Sequence, residues 1–105
     1  RNVRMIEPVG YLDMLALERE ARLILTDSGG IQKEAYWLGV PCITLRPETE
    51  WIETVEAGWN VIAGANTELI VAMARSFSPD GTPPAIFGDG HAAEKIANIL
   101  NTSLA

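Results

Sequence analysis

From Tyr11 to Glu20 apolar residues stand at 11, 12, 14, 15 and 17, with charges at 13, 18, 19 and 20. That spacing gathers the apolar side chains on one face and predicts an amphipathic helix, with Glu18-Arg19-Glu20 as its solvated end. Arg22 to Thr26 is a run of strand length around the continuous apolar stretch Leu23-Ile24-Leu25, the pattern of a strand covered on both faces. After Thr26-Asp27-Ser28-Gly29-Gly30 a helical period resumes, with Ile31, Ala35 and Leu38 expected on the buried stripe. Gly39, just before Val40-Pro41, reads as a C-cap followed by a breaker. Pro41 to Leu45 predicts the next strand, Arg46-Pro47-Glu48-Thr49-Glu50 a polar loop, and Trp51 to Ala57 a short helix ended by Gly58. Trp59 to Ile62 predicts another strand, closed by Gly64. Asn66 is placed to cap a helix over 67–77, with Glu68 in its first turn where a negative charge suits the dipole.

At the two ends the pattern is less regular. Val3 to Ile6 predicts a first strand, stopped by Pro8 and Gly10. Ser78 to Gly90 holds three prolines, three glycines and two aspartates and reads as a loop, after which a last helix starts near His91. Four strands alternating with helices predict parallel pairing through right-handed crossovers. The expected fold class is therefore α/β, a parallel sheet of about four strands with flanking helices, with ligands bound beyond the carboxyl ends of the strands. Loops 7–10, 26–30 and 46–50 each follow a predicted strand and fall on that edge. So small a sheet, with a strand at its very start, is expected to be part of a larger Rossmann-like unit, and residues 1–105 are read as a single Rossmann-like domain fragment.

Composition narrows the ligand classes. The 105 residues are 48% hydrophobic and 21% charged, a globular balance, and carry a formal net charge of −6. No basic stripe is present, so neither a nucleic-acid surface nor a membrane-binding one is expected. An anion site here has to rest on backbone dipoles and a few local arginines rather than on the overall field. The lone Cys42, inside Pro41-Cys42-Ile43-Thr44-Leu45, reads as a buried inert thiol. No apolar run reaches bilayer length and Arg1-Asn2-Val3-Arg4 leads into a predicted strand rather than a leader, so a cytoplasmic location is expected.

The chemistry concentrates at Ser28-Gly29-Gly30. A helix opened by these residues presents unpaired backbone N–H groups and the positive end of its dipole, and the missing glycine side chains let a ligand come close. Such a place suits phosphate. It lacks the spacing of a dinucleotide fingerprint and the Lys-Ser/Thr of a P-loop. The plainer alternative is an ordinary strand-to-helix turn capped by Asp27 or Ser28.

Thr26-Asp27-Ser28-Gly29-Gly30-Ile31-Gln32-Lys33-Glu34-Ala35 closely resembles the Asp-Ser-Gly-Gly-x-Gln-x-Glu-Ala signature of the non-hydrolysing UDP-N-acetylglucosamine 2-epimerases. The similarity continues through Leu38-Gly39-Val40-Pro41, Leu45-Arg46 with Thr49-Glu50, Val55-Glu56-Ala57-Gly58 and Gly88-Asp89-Gly90. It implies the later part of the second domain of a two-domain GT-B fold, with a nucleotide sugar held between the domains. It also implies an isomerase that interconverts UDP-N-acetylglucosamine and UDP-N-acetylmannosamine by eliminating UDP to a glycal and adding it back, without metal or nicotinamide cofactor. On this resemblance Ser28, Gly29 and Gly30 would hold the diphosphate and Glu34 the ribose hydroxyls. Met14 falls where relatives place an aromatic residue near uracil, and Arg46 matches an arginine that anchors its loop or compensates diphosphate charge.

Where many relatives follow Thr-Glu with Arg-Pro-Glu, Trp51-Ile52-Glu53 stands here, and no ligand contact is assigned to Thr49 or Glu50. The family's proton-transferring acids belong to its first domain and its functional histidine to the start of the second, so no catalytic residue is expected within this chain. His91 is read as a surface or capping residue. Trp37, Trp51 and Trp59 are read as core or interface aromatics rather than sugar platforms. The partners expected are the UDP-sugar, a missing N-terminal domain and, through uncovered faces, a second copy. A GT-B glycosyltransferase and a non-catalytic α/β binding module are the alternatives.

Overall fold

The computed structural model describes residues 3–86 and 92–104. Helix α1 (Tyr11–Glu20) leads into strand β1 (Ile24–Thr26), helix α2 (Gly29–Leu38) and strand β2 (Cys42–Thr44). The short helix α3 (Ile52–Glu56), strand β3 (Asn60–Ile62) and helices α4 (Thr67–Ser76) and α5 (Ala92–Leu104) complete the order. The three strands pair in parallel in the order β1-β2-β3, with Ile24 opposite Cys42 and Cys42 opposite Asn60.

Local chemistry sets the element ends. Ser28 caps α2, its hydroxyl accepting from the Ile31 N–H at 3.3 Å, so Ser28 rather than Asp27 opens the helix. Gly39 ends it in the left-handed region at φ 74°, which a residue with a side chain adopts only with strain. At α4 the Asn66 Oδ1 accepts from the Leu69 N–H at 3.0 Å, as its cap position predicts.

The central strand β2 is buried along its length, and its Cys42 and Ile43 belong to a core that also holds Ala35, Tyr36, Val40, Trp59 and Ala63. Cys42 is buried here and desolvation pushes its thiol up to about 12, so the inert reading holds. Tyr36 also turns inward, its hydroxyl donating to the Pro84 carbonyl and tying α2 to the loop before α5. No helix among the described residues is long and apolar enough to cross a membrane.

Several expectations need correction. Val3 to Ile6 is not a strand: Val3 is 83% exposed and Met5 96% exposed, with no ladder partner and no covering surface among the described residues. Among the described residues the sheet therefore has three strands rather than about four, and loop 7–10 serves as the entry to α1, with Gly10 at its N-cap. Strand β1 is not covered on both faces, since Leu25 points outward. The buried stripe of α2 is Gln32, Ala35 and Tyr36, while Leu38 is exposed, because the helix meets the sheet over a polar seam. Trp37, read as a core or interface aromatic, is 61% exposed, so of those two readings only the core one falls. Residues 88–91, with the Gly-Asp-Gly pattern and His91, lie outside the described residues.

Candidate functional site

The carboxyl ends of β1 and β2 carry the two loops that build the site. Thr26, the last residue of β1, accepts a hydrogen bond from the Ser28 N–H on its Oγ1 at 3.1 Å, which tightens the turn into α2. The first helical bond runs from the Gln32 N–H to the Ser28 carbonyl at 3.1 Å. The amides of Gly29 and Gly30 precede it and have no acceptor among the described residues. They are open donors at the positive end of a ten-residue helix, as the sequence predicts.

The loop 46–50 folds over this turn. Glu50 reaches Gly29 so closely that a Cβ built there would lie 1.9 Å from Glu50 Oε1. Its other carboxylate oxygen pairs with Arg46 Nη1 at 3.5 Å, both side chains remaining partly solvated. Trp51 Nε1 donates to the Gly29 carbonyl at 2.7 Å, and Lys33 Nζ stands 5.0 Å above the Trp51 ring, a cation–π distance. Arg46 is thus linked to the glycine turn through Glu50, and Glu50 and Trp51 stand at that turn without having been assigned there.

Beneath the loop a buried polar chain fixes its height. Thr49 Oγ1 donates to Gln32 Oε1 at 2.5 Å and accepts from the Trp51 N–H at 3.0 Å. Asn60 Nδ2 donates to Thr54 Oγ1 at 3.0 Å, and more distantly to Gln32 Oε1 at 3.4 Å, while Thr44 Oγ1 donates to Asn60 Oδ1 at 2.7 Å. Thr54 closes the chain on the Trp51 carbonyl at 2.6 Å. Gln32, Thr44, Thr54 and Asn60 are all buried, so water cannot replace these bonds and the geometry of loop and helix is held as one unit.

Helix α1 supplies the third wall. Met14 lines a cavity of about 240 Å³ at the end of β1, together with Leu17, Glu18, Ala21, Ile24, Leu25, Thr26 and Ile31. The candidate uracil neighbour therefore lies beside the strand end that opens the glycine turn. Glu34, on α2, is half-buried and faces α1, where it meets Glu18. Here the reading of a solvated helix end fails. Arg19 and Glu20 pair at the surface at 3.5 Å, but Glu18 is only 4% exposed. Burial, and then the neighbouring Glu34 carboxylate, pushes the Glu18 carboxyl up to about 7. A charge flanked by charges gave no signal that one of the three turns inward; its position four residues after Met14, on the same helix face, is the one hint.

A family model described as UDP-N-acetylglucosamine 2-epimerase matches residues 1–101. A curated UDP-N-acetylglucosamine 2-epimerase homolog from Methanococcus maripaludis is 52% identical over 100 residues, covering 94% of this chain and 28% of its own length. The UDP-2,3-diacetamido-2,3-dideoxy-D-glucuronate 2-epimerase of Pseudomonas aeruginosa is 46% identical over 103 residues, covering 93% of this chain and 28% of that protein. The fold superposes with a TM-score of 0.80 on the crystal structure of the Methanocaldococcus jannaschii UDP-GlcNAc 2-epimerase in complex with UDP-GlcNAc and UDP. That match has 49% identity over 92% of this chain and 27% of the other. The chain spans about 28% of the length of the curated relatives it matches.

Proposed function

The chain belongs to the UDP-N-acetylglucosamine 2-epimerase family, and from that premise we propose that it is the UDP-binding portion of a longer enzyme interconverting UDP-N-acetylglucosamine and UDP-N-acetylmannosamine. The observation that carries this reading is the pair of open amides at Gly29 and Gly30, at the N-terminus of α2 and beside Arg46. Ser28, Gly29 and Gly30 take the diphosphate, Arg46 offsets its charge, Glu34 accepts from the ribose and Met14 covers the uracil. The similarity to the complex with UDP-GlcNAc and UDP supports the same assignment.

Elimination breaks the bond from the anomeric carbon to the diphosphate and leaves 2-acetamidoglucal and UDP. Negative charge grows on the leaving diphosphate during that step, and fixed backbone donors aimed at it stabilise the transition state more than the ground state. The base that removes the C2 proton belongs to the remainder of the polypeptide, an N-terminal domain that closes the cleft. The exposed stripe Ile96, Ile99 and Leu100 of α5 is surface for that remainder to cover.

Two measurements test the proposal. Calorimetry should show the folded chain binding UDP, and indifference to millimolar UDP would favour a non-catalytic module. The full-length protein should form UDP-N-acetylmannosamine without an added acceptor, whereas a requirement for an acceptor would favour a glycosyltransferase. The 105 residues alone should turn over nothing.

A further inference from the structure

Arg46 compensates the diphosphate charge in the reading above, yet it already has a partner. Its Nη1 pairs with Glu50 Oε2 at 3.5 Å, and the other oxygen of that carboxylate lies against Gly29, 1.9 Å from where a Cβ would stand. A carboxylate is thus held beside the open amides of α2, at the positive end of the helix dipole, where a negative charge is favoured. The diphosphate is assigned to the same amides and the same arginine. Two anions cannot share them without repulsion.

The anchoring of the loop decides which part gives way. Thr49 and Trp51, on either side of Glu50, are both tied to α2: Thr49 Oγ1 donates to Gln32 Oε1 at 2.5 Å, and Trp51 Nε1 donates to the Gly29 carbonyl at 2.7 Å. The loop backbone is therefore fixed on both sides, and the freedom left to Glu50 lies in its side chain. That side chain is weakly held. Its pair with Arg46 is long, the two side chains are 53% and 40% exposed, and a solvated pair of this kind restrains its members little. A diphosphate offers the planar guanidinium several oxygens and a two-point contact, which outmatches one long contact to a carboxylate.

We propose that Glu50 is a displaceable counter-ion over the diphosphate site: a sugar nucleotide binds by turning the Glu50 carboxylate away from Gly29, and Arg46 exchanges that carboxylate for the diphosphate while the loop backbone stays in place. The proposal rests on the assignment of the diphosphate to Ser28, Gly29 and Gly30. It reconciles an arginine paired with a glutamate with a duty toward the ligand. It also adds selectivity, because a uridine compound without a diphosphate has nothing to offer Arg46 and leaves the exchange unmade. The cost falls on affinity, since the fraction of molecules in which Glu50 covers the turn does not bind.

The test uses the full-length protein at constant pH and ionic strength, with UDP-N-acetylglucosamine titrated calorimetrically and uridine measured by competition against it. Glu50→Gln keeps the size of the side chain and removes its charge, so affinity for the sugar nucleotide should rise about tenfold as the covered population is lost. Affinity for uridine should be unchanged. Sugar-nucleotide binding that is equal to wild type or weaker in Glu50→Gln overturns the proposal, since Glu50 would then be idle or would hold Arg46 in place for the ligand. An equal gain for uridine overturns it as well, because the charge would then act on the whole site and not through exchange with the diphosphate. If folded Gly29→Val binds UDP-N-acetylglucosamine as tightly as wild type, the diphosphate assignment itself fails, and that outcome is separate from the Glu50 comparison.

Discussion

Glu50 occupies the space that a side chain on Gly29 would need, its Oε1 lying 1.9 Å from the position of an added Cβ, with Trp51 Nε1 at 3.4 Å. Gly29 has no positive φ, so this position calls for glycine because of what packs on it rather than for its backbone conformation. Gly30 differs: an added Cβ meets only Ser28 Oγ, at an ordinary 3.8 Å.

The two glycines should therefore separate folding from binding. Gly30→Ala should fold normally and gain up to about 1 kcal/mol in urea denaturation, since alanine favours a helix. Gly29→Val must displace the Glu50 carboxylate from Arg46 and block approach to the open amides. In the full-length enzyme it should lower kcat on the order of a hundredfold, comparable to removing one oxyanion donor. Circular dichroism first establishes that the variant is folded. If it is folded and kcat stays within a few-fold of wild type, the turn is a structural corner and the diphosphate assignment is wrong.

Glu34→Ala should raise KM for the sugar nucleotide more than it lowers kcat. The ribose is remote from C2, so its hydrogen bonds change little between ground and transition states, and losing them removes uniform binding. Steady-state kinetics decide the point, and a large fall in kcat at constant KM would contradict the role.

The buried chain around Gln32 makes a prediction about stability. Gln32→Leu leaves the Thr49 hydroxyl and the Asn60 amide without the acceptor they share. Asn60 Nδ2 keeps its 3.0 Å bond to Thr54 Oγ1, so the group left unmatched is the Thr49 hydroxyl, and urea denaturation should show a loss of about 1–3 kcal/mol. A loss below about 0.5 kcal/mol, the scale of an ordinary surface change, would mean that the chain does not hold the loop on α2.

What the sequence made legible follows from how local each feature is. The bounds of α1, a cap at Asp27 or Ser28, the cap Asn66, Gly39 and the order of strands and helices from α1 onward rest on neighbours within a few residues, and the pattern shows them. The open amides of Gly29 and Gly30 were legible for the same reason. The strand expected at Val3 to Ile6 was not testable from pattern alone, because a strand exists only with a partner to pair with. The inward turn of Gln32, Glu18 and Tyr36 depends on contacts with Thr49, Glu34 and Pro84, which are distant in sequence. Apolar periodicity does not register a seam built from glutamine, threonine and asparagine. The placing of Glu50 and Trp51 on the glycine turn is likewise a tertiary contact between two loops.

Glu18 should also leave a mark on stability that is independent of ligand. Its carboxyl is raised from an ordinary value of 4.5 to about 7 in the folded protein, so the fold holds this proton more tightly than the unfolded chain does. The sign follows from linkage: the contribution is fully present below the unfolded value, declines as the pH rises, and is gone above the folded value. Other carboxylates titrate in the lower part of this range, so the informative quantity is the difference between wild type and Glu18→Gln, in which they cancel. That difference in Tm should move against the wild type between pH 5 and pH 7 and level off above pH 8. A difference that stays constant from pH 5 to pH 8 would mean that Glu18 is as free to ionise in the folded protein as in the unfolded chain. Its burial against Glu34 would then have no energetic consequence.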